Sequence, residues 1–78
     1  MKATLRDLAM GESAVVSGYA KGASVYREKL LAMGLTKGTE LTVSRIAPMG
    51  DPVGIKVRGF ALSLRKDEAA TLYVERRI

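Results

Sequence analysis

A mainly β domain, in which one helix interrupts a run of about five short strands, is the architecture this sequence predicts. Three observations carry it. Between Lys29 and Leu41 a helix ends and an alternating strand begins. From Val53 to Leu64 two alternating apolar runs meet at Arg58-Gly59, the pattern of a hairpin. Turn residues recur so often through the 78-residue chain that no segment except the one before Gly34 has room for more than a turn or two of helix.

The elements follow in order. Leu5 and Leu8 are three apart, the spacing of a single helical or 3₁₀ turn, and Gly11 closes it. This turn is placed as a lid on one end of the core. Glu12–Gly18 carries Val15 and Val16 between Ser and Gly, which favours a short strand. Gly18 and Gly22 bound the loop Tyr19-Ala20-Lys21. Ser24 has the chemistry of an N-cap for a helix over Val25–Met33, because its hydroxyl accepts an orphan backbone N–H. Tyr26, Leu30 and Met33 then form one apolar stripe, predicted to face the core, with Arg27, Glu28 and Leu31 on the other side. Gly34 fits the left-handed position just past a helix, which lets Leu35 fold back on Leu30 in a Schellman stop.

Thr39, Leu41 and Val43 alternate with Glu40, Thr42 and Ser44, so the strand from Thr39 to about Ala47 is half-buried. Pro48-Met49-Gly50-Asp51-Pro52 cannot sit in a central strand and forms a loop. Val53, Ile55 and Val57 resume the alternation, and Phe60, Leu62 and Leu64 return it. Gly54 marks a bulge or a close approach of another backbone. Asp67-Glu68-Ala69-Ala70 reads as one helical turn with acids at its positive end, and Leu72 and Val74 as a last strand. Short strands in so small a chain favour a closed or nearly closed sheet, since closure removes exposed edges. The predicted fold is therefore a small SH3-like barrel, one domain over residues 1–78. The alternative is an α+β sandwich with the helix laid across an open antiparallel sheet.

Composition narrows the chemistry. Thirteen Lys and Arg against eight Asp and Glu give a net charge of +5, which raises nucleic acid or an anionic surface as a partner. The basic residues are scattered, however, and the few aromatics form no aromatic-basic motif. Cys and His are both absent, so disulfides, the usual zinc sites and the common nucleophile-base pairs are excluded. Catalysis is not expected. The carboxylates show no loop spacing that converges on an ion, so neither a metal nor a cofactor is predicted. The start, Met1-Lys2-Ala3-Thr4-Leu5-Arg6-Asp7, is not the apolar core of a signal peptide, and no apolar run approaches membrane-spanning length. A cytoplasmic location is the expectation.

Several segments together resemble a known family. Leu5-x-x-Leu8-x-x-Gly11 is followed by Leu30-Leu31-Ala32-Met33-Gly34-Leu35-Thr36-Lys37-Gly38-Thr39, then by Pro48-Met49-Gly50-Asp51-Pro52 and Leu62-Ser63-Leu64-Arg65-Lys66-Asp67-Glu68-Ala69. This succession resembles FeoA, the small cytoplasmic component of bacterial ferrous iron transport, from about Leu5 to Glu75. The resemblance implies an SH3-like barrel, a fold also found as the C-terminal domain of iron-dependent repressors of the diphtheria toxin repressor type. It further implies an accessory protein acting on FeoB, the membrane GTPase and iron permease, with membrane contact only through that partner. The lack of His and Cys agrees with a helper rather than an iron carrier. Proline-rich recognition of the SH3 kind is not carried over, because that groove needs aromatics this chain lacks. Two other readings stand beside this one: a small basic barrel that binds nucleic acid, and a detached regulatory domain like that of the repressors.

The candidate partner-binding residues are Arg27, Leu31 and Met49. At roughly 100° per residue, Leu31 lies about 140° from the mean direction of the Tyr26-Leu30-Met33 stripe. Arg27 lies one turn earlier on the same side, so the two predict an apolar contact rimmed by charge. Met49 is the candidate in the proline-flanked loop.

Overall fold

Among the described residues six strands form, one more than the alternation predicts. The computed structural model describes residues 3–22 and 24–77. β1 (Ala3–Thr4) leads into a 3₁₀ turn at Leu5–Asp7, and β2 (Ser13–Tyr19) is followed by α1 (Ser24–Ala32). β3 (Glu40–Ile46), a 3₁₀ turn at Pro48–Gly50, β4 (Val53–Val57) and β5 (Phe60–Leu64) come next, and α2 (Lys66–Thr71) precedes β6 (Leu72–Arg76). All pairings are antiparallel, and the order is β1-β6-β2-β3-β4-β5. The extra strand is β1, whose two residues pair with Tyr73 and Val74 at the far end of the chain.

The sheet curls without closing through its backbone. Six strands laid flat have five gaps and would span roughly 24 Å at about 4.8 Å per gap, thin in the third dimension. The molecule instead measures 27 × 26 × 25 Å. Its ladder ends at β1 and β5, and no pairing joins those two among the described residues. Bulges help the strands bend: the register shifts between Val16 and Gly18 against β6, and between Val43 and Arg45 against β4. Gly54 stands opposite Arg45 at the second bulge, where a Cβ would meet Arg45 Cβ at 3.4 Å.

Alternation fills the core as predicted along most strands. Ala14 and Val16, Leu41 and Val43, Val53, Ile55 and Val57, Leu64, and Leu72 and Val74 all point inward and are buried. Leu5 and Leu8 seal it from the first turn, Ala69 from α2, and Leu30 and Leu35 from the helix corner. Phe60 is the exception, 72% exposed although it follows the inward alternation. Its cross-strand partner Val57 is buried, but Phe60 opens β5, the strand at the end of the sheet, which has a strand neighbour on one side only. Arg58 and Gly59 both have positive φ, 52° and 84°, as a tight two-residue hairpin requires.

The corner after α1 forms as its residues predict. Gly34 has φ 93°, its N–H donates to the Leu31 carbonyl at 3.0 Å, and the Leu35 N–H donates to the Leu30 carbonyl at 3.0 Å. These are the paired bonds of a Schellman motif. Ser24 is the first helical residue rather than the residue before it, a shift of one position. The stripe is only partly buried: Leu30 is sealed and Met33 packs against the core, but Tyr26 is 37% exposed. The reason is that α1 meets the barrel through its C-terminal half, so its first turn projects past the core.

A candidate docking groove beside α1

Two groups of cations border α1, and they differ in what answers them. On the core side, Lys29 Nζ donates to Glu68 Oε2 at 2.6 Å, and Glu68 is buried. The other oxygen, Oε1, accepts the Arg65 N–H at 2.9 Å and so caps α2. The Lys29 hydrogen bond, with help from the Arg65 N–H, holds the Glu68 carboxyl below its ordinary value. Glu68 therefore does more than the helix-start role its sequence position suggests. It ties α1 to α2 across the edge of the barrel.

On the opposite side of α1 lies a groove of about 470 Å³. Ser24, Arg27 and Leu31 supply one wall from α1, and the end of β2 with the loop after it supplies the other through Tyr19, Ala20 and Lys21. Lys37 completes the lining from the turn after the helix corner. That turn is pinned to β2, since the Gly38 N–H donates to the Val16 carbonyl at 2.8 Å and the Val16 N–H donates to the Thr39 carbonyl at 2.9 Å. The loop on the other side is held by the Ala20 N–H, which donates to the Thr71 carbonyl at 2.9 Å. The Tyr19 hydroxyl donates to the Leu35 carbonyl and joins β2 to the helix corner. Burial raises the Tyr19 phenol above its ordinary value, and the nearby Arg27 guanidinium opposes that rise.

Among the described residues no carboxylate lines this groove, and Lys21, Arg27 and Lys37 have no side-chain hydrogen bond or ion pair. Leu31 is 37% exposed within it. Tyr19, Ala20 and Leu31 thus offer apolar surface between three uncompensated positive charges. The groove is equipped to bind, and it presents no nucleophile paired with a base.

Arg27 and Leu31 therefore come together, as their helical phase implies. Met49 does not join them. It is 99% exposed, with φ 70°, at a small recess of about 110 Å³ lined with Leu5, Leu8 and Val53 on another part of the surface. The residues missed from sequence are Lys21 and Lys37, which lie in two separate turns and meet Arg27 only through the tertiary fold. Among the described residues, no group of three or more Asp and Glu is placed to hold a metal ion.

A curled antiparallel sheet with a helix inserted after its second strand defines a small SH3-like domain. A family model, the FeoA domain, matches residues 3–76, and the chain belongs to that family. A fusion protein of Porphyromonas gingivalis, Fe(2+) transport protein A joined to the Fe(2+) transporter FeoB, is 37% identical over 71 residues. The match covers 91% of this chain but only 8% of that protein. Among solved structures, the FeoA-like protein of Clostridium acetobutylicum is 36% identical with a TM-score of 0.89, over 99% of this chain and 88% of its own. FeoA of Stenotrophomonas maltophilia, solved with zinc and described as a procaryotic SH3 domain protein, is 28% identical with a TM-score of 0.81, over 94% and 89%. A manganese-dependent transcriptional repressor shares the fold, with a TM-score of 0.89 at 13% identity over 97% of this chain and 37% of that one.

Proposed function

We propose that this chain is a non-enzymatic accessory protein of bacterial ferrous iron uptake that docks on the cytosolic part of a FeoB-type membrane transporter. The observation that carries this reading is the Porphyromonas gingivalis fusion, in which a segment 37% identical to this chain shares one polypeptide with the transporter. Fusion holds two domains at an effective concentration that on the order of millimolar affinity suffices to exploit. A separate chain must supply its affinity through its own surface. The groove beside α1, with Arg27 and Leu31 in its wall, is the surface best suited to that task, because its charge is not spent inside the fold.

No helix among the described residues is long and apolar enough to cross a membrane, which fits attachment through the partner and a cytoplasmic location. The repressor neighbours support the fold and nothing more at 13% identity, so the detached-regulator reading gains no separate support.

Co-purification tests the reading. The tagged chain is passed over the immobilised cytosolic part of a FeoB-type transporter, and the complex is measured by calorimetry. A saturable one-to-one complex in the micromolar range is expected. Failure to bind in either nucleotide state of the GTPase, with both proteins folded, overturns the proposal.

A further inference from the structure

The groove carries more information than the presence of a partner, because its charges are arranged in one direction. It is continuous with a second depression of about 660 Å³, and the two share Gly18, Tyr19, Ala20, Lys21 and Lys37. The shared part is thus the middle of a longer trough. At the α1 end lie Arg27 and Leu31; at the other end lies Glu75 on β6, the one carboxylate in either lining among the described residues. The trough is positive from its middle to the α1 end and reverses sign at the far end.

We propose that this trough recognises an extended acidic segment of the partner, with carboxylates set between Lys21, Arg27 and Lys37 and an aliphatic side chain seated on Leu31. The inference rests on the transporter reading for the identity of the partner, but the ligand chemistry comes from the trough itself. Three cations without internal partners favour a multiply charged anion through charge complementarity. A bare phosphate has no use for the apolar surface of Tyr19, Ala20 and Leu31 that lies between them. Single-stranded nucleic acid requires exposed aromatic faces for stacking, whereas the two tyrosines of the trough, Tyr19 and Tyr73, are both half-buried, and the Tyr19 hydroxyl is fixed to the Leu35 carbonyl. An extended segment whose same-face residues i, i+2 and i+4 are carboxylate, aliphatic and carboxylate meets both features. Glu75 sets the direction, since it repels an acid at the far end and accepts a basic residue there.

The probe is the peptide acetyl-Asp-Glu-Leu-Glu-Asp-amide, with its Asn/Gln counterpart, inorganic phosphate and oligo-dT as the other arms. Each is titrated into the ¹⁵N-labelled full chain and followed by amide shifts. The acidic peptide is expected to move the amides of Lys21, Arg27, Leu31 and Lys37, with a Kd on the order of 0.1 mM for so short a ligand. Arg27→Glu and Lys37→Glu are each expected to weaken it about tenfold, removing an attraction and adding a repulsion. Unchanged peptide binding by these variants overturns the proposal. Equal binding of the Asn/Gln peptide, or tighter occupation of the trough by oligo-dT or phosphate, overturns it too. Transporter capture separates the two readings. If the variants still capture the transporter at full strength, the acidic-segment inference fails while the accessory reading stands. If the peptide binds but the wild-type chain captures no transporter, the accessory reading fails while the groove chemistry stands.

Discussion

Lys29 and Arg27 sit two residues apart on one helix and meet opposite fates. The Lys29 ammonium is met by a buried carboxylate at 2.6 Å, and that carboxylate also caps the next helix. Arg27, roughly 200° away around α1, faces a groove with no carboxylate in its lining among the described residues. The first charge is built into the fold. The second is hydrated and contributes little to folding, which leaves it available to a partner. A helix of nine residues with Leu30 as its one fully buried side chain is therefore anchored along a narrow line, and its outer face is free to vary for binding.

Substitutions on the two sides should separate accordingly. Leu30→Glu is the most damaging, because Leu30 is fully buried and a charge placed there has no partner. It should cost more than about 4 kcal/mol, enough to leave the chain unfolded by circular dichroism at room temperature.

Glu68→Ala comes next. It leaves the Arg65 N–H uncapped and Lys29 without its partner, and a loss of about 1–3 kcal/mol is expected from urea denaturation. The same residue gives the pH dependence. Its carboxyl is held below the ordinary value of 4.5, so its contribution is complete above that pH and is lost as pH falls through the lowered value. Urea midpoints measured from pH 7 to pH 3 should drop at the acid end, and Glu68→Gln should flatten that drop. An identical pH profile in the variant would show that the Lys29–Glu68 seam does not bear on stability.

At Gly34 nothing lies within 4 Å of an added Cβ, so the cost of a side chain comes from φ 93° alone. Gly34→Val should lose about 1–3 kcal/mol and Gly34→Asn distinctly less, since Asn tolerates the left-handed region. Equal losses in thermal melts would mean that the corner does not depend on backbone handedness.

Local features were legible in the sequence and distant ones were not. The Leu30-Gly34-Leu35 corner and the Arg58-Gly59 hairpin could be read because their hydrogen bonds close within a few residues. Helical phase alone placed Arg27 beside Leu31. β1 escaped notice because two residues display no period, and their partners on β6 lie at the opposite end of the chain. Glu68 looked like an ordinary helix-start acid because Lys29, which holds it, is 39 positions earlier. Alternation set the face of Phe60 and helical spacing set the start of the stripe at Tyr26, yet neither period says how far along an element its neighbours still cover it. The same limit hid Lys21 and Lys37, which join the groove only after β2, the helix corner and β3 have assembled.

The smallest effect on folding tests the central claim most directly. If the outer face of α1 is reserved for binding, Leu31→Glu replaces a partly exposed side chain with another good helix former and costs under about 1 kcal/mol. Its thermal midpoint should then fall by no more than about 5 °C, while capture of the transporter's cytosolic part weakens at least about tenfold. A collapse of the fold in Leu31→Glu comparable to that in Leu30→Glu, or a stable variant that captures the transporter as well as wild type, would contradict the account.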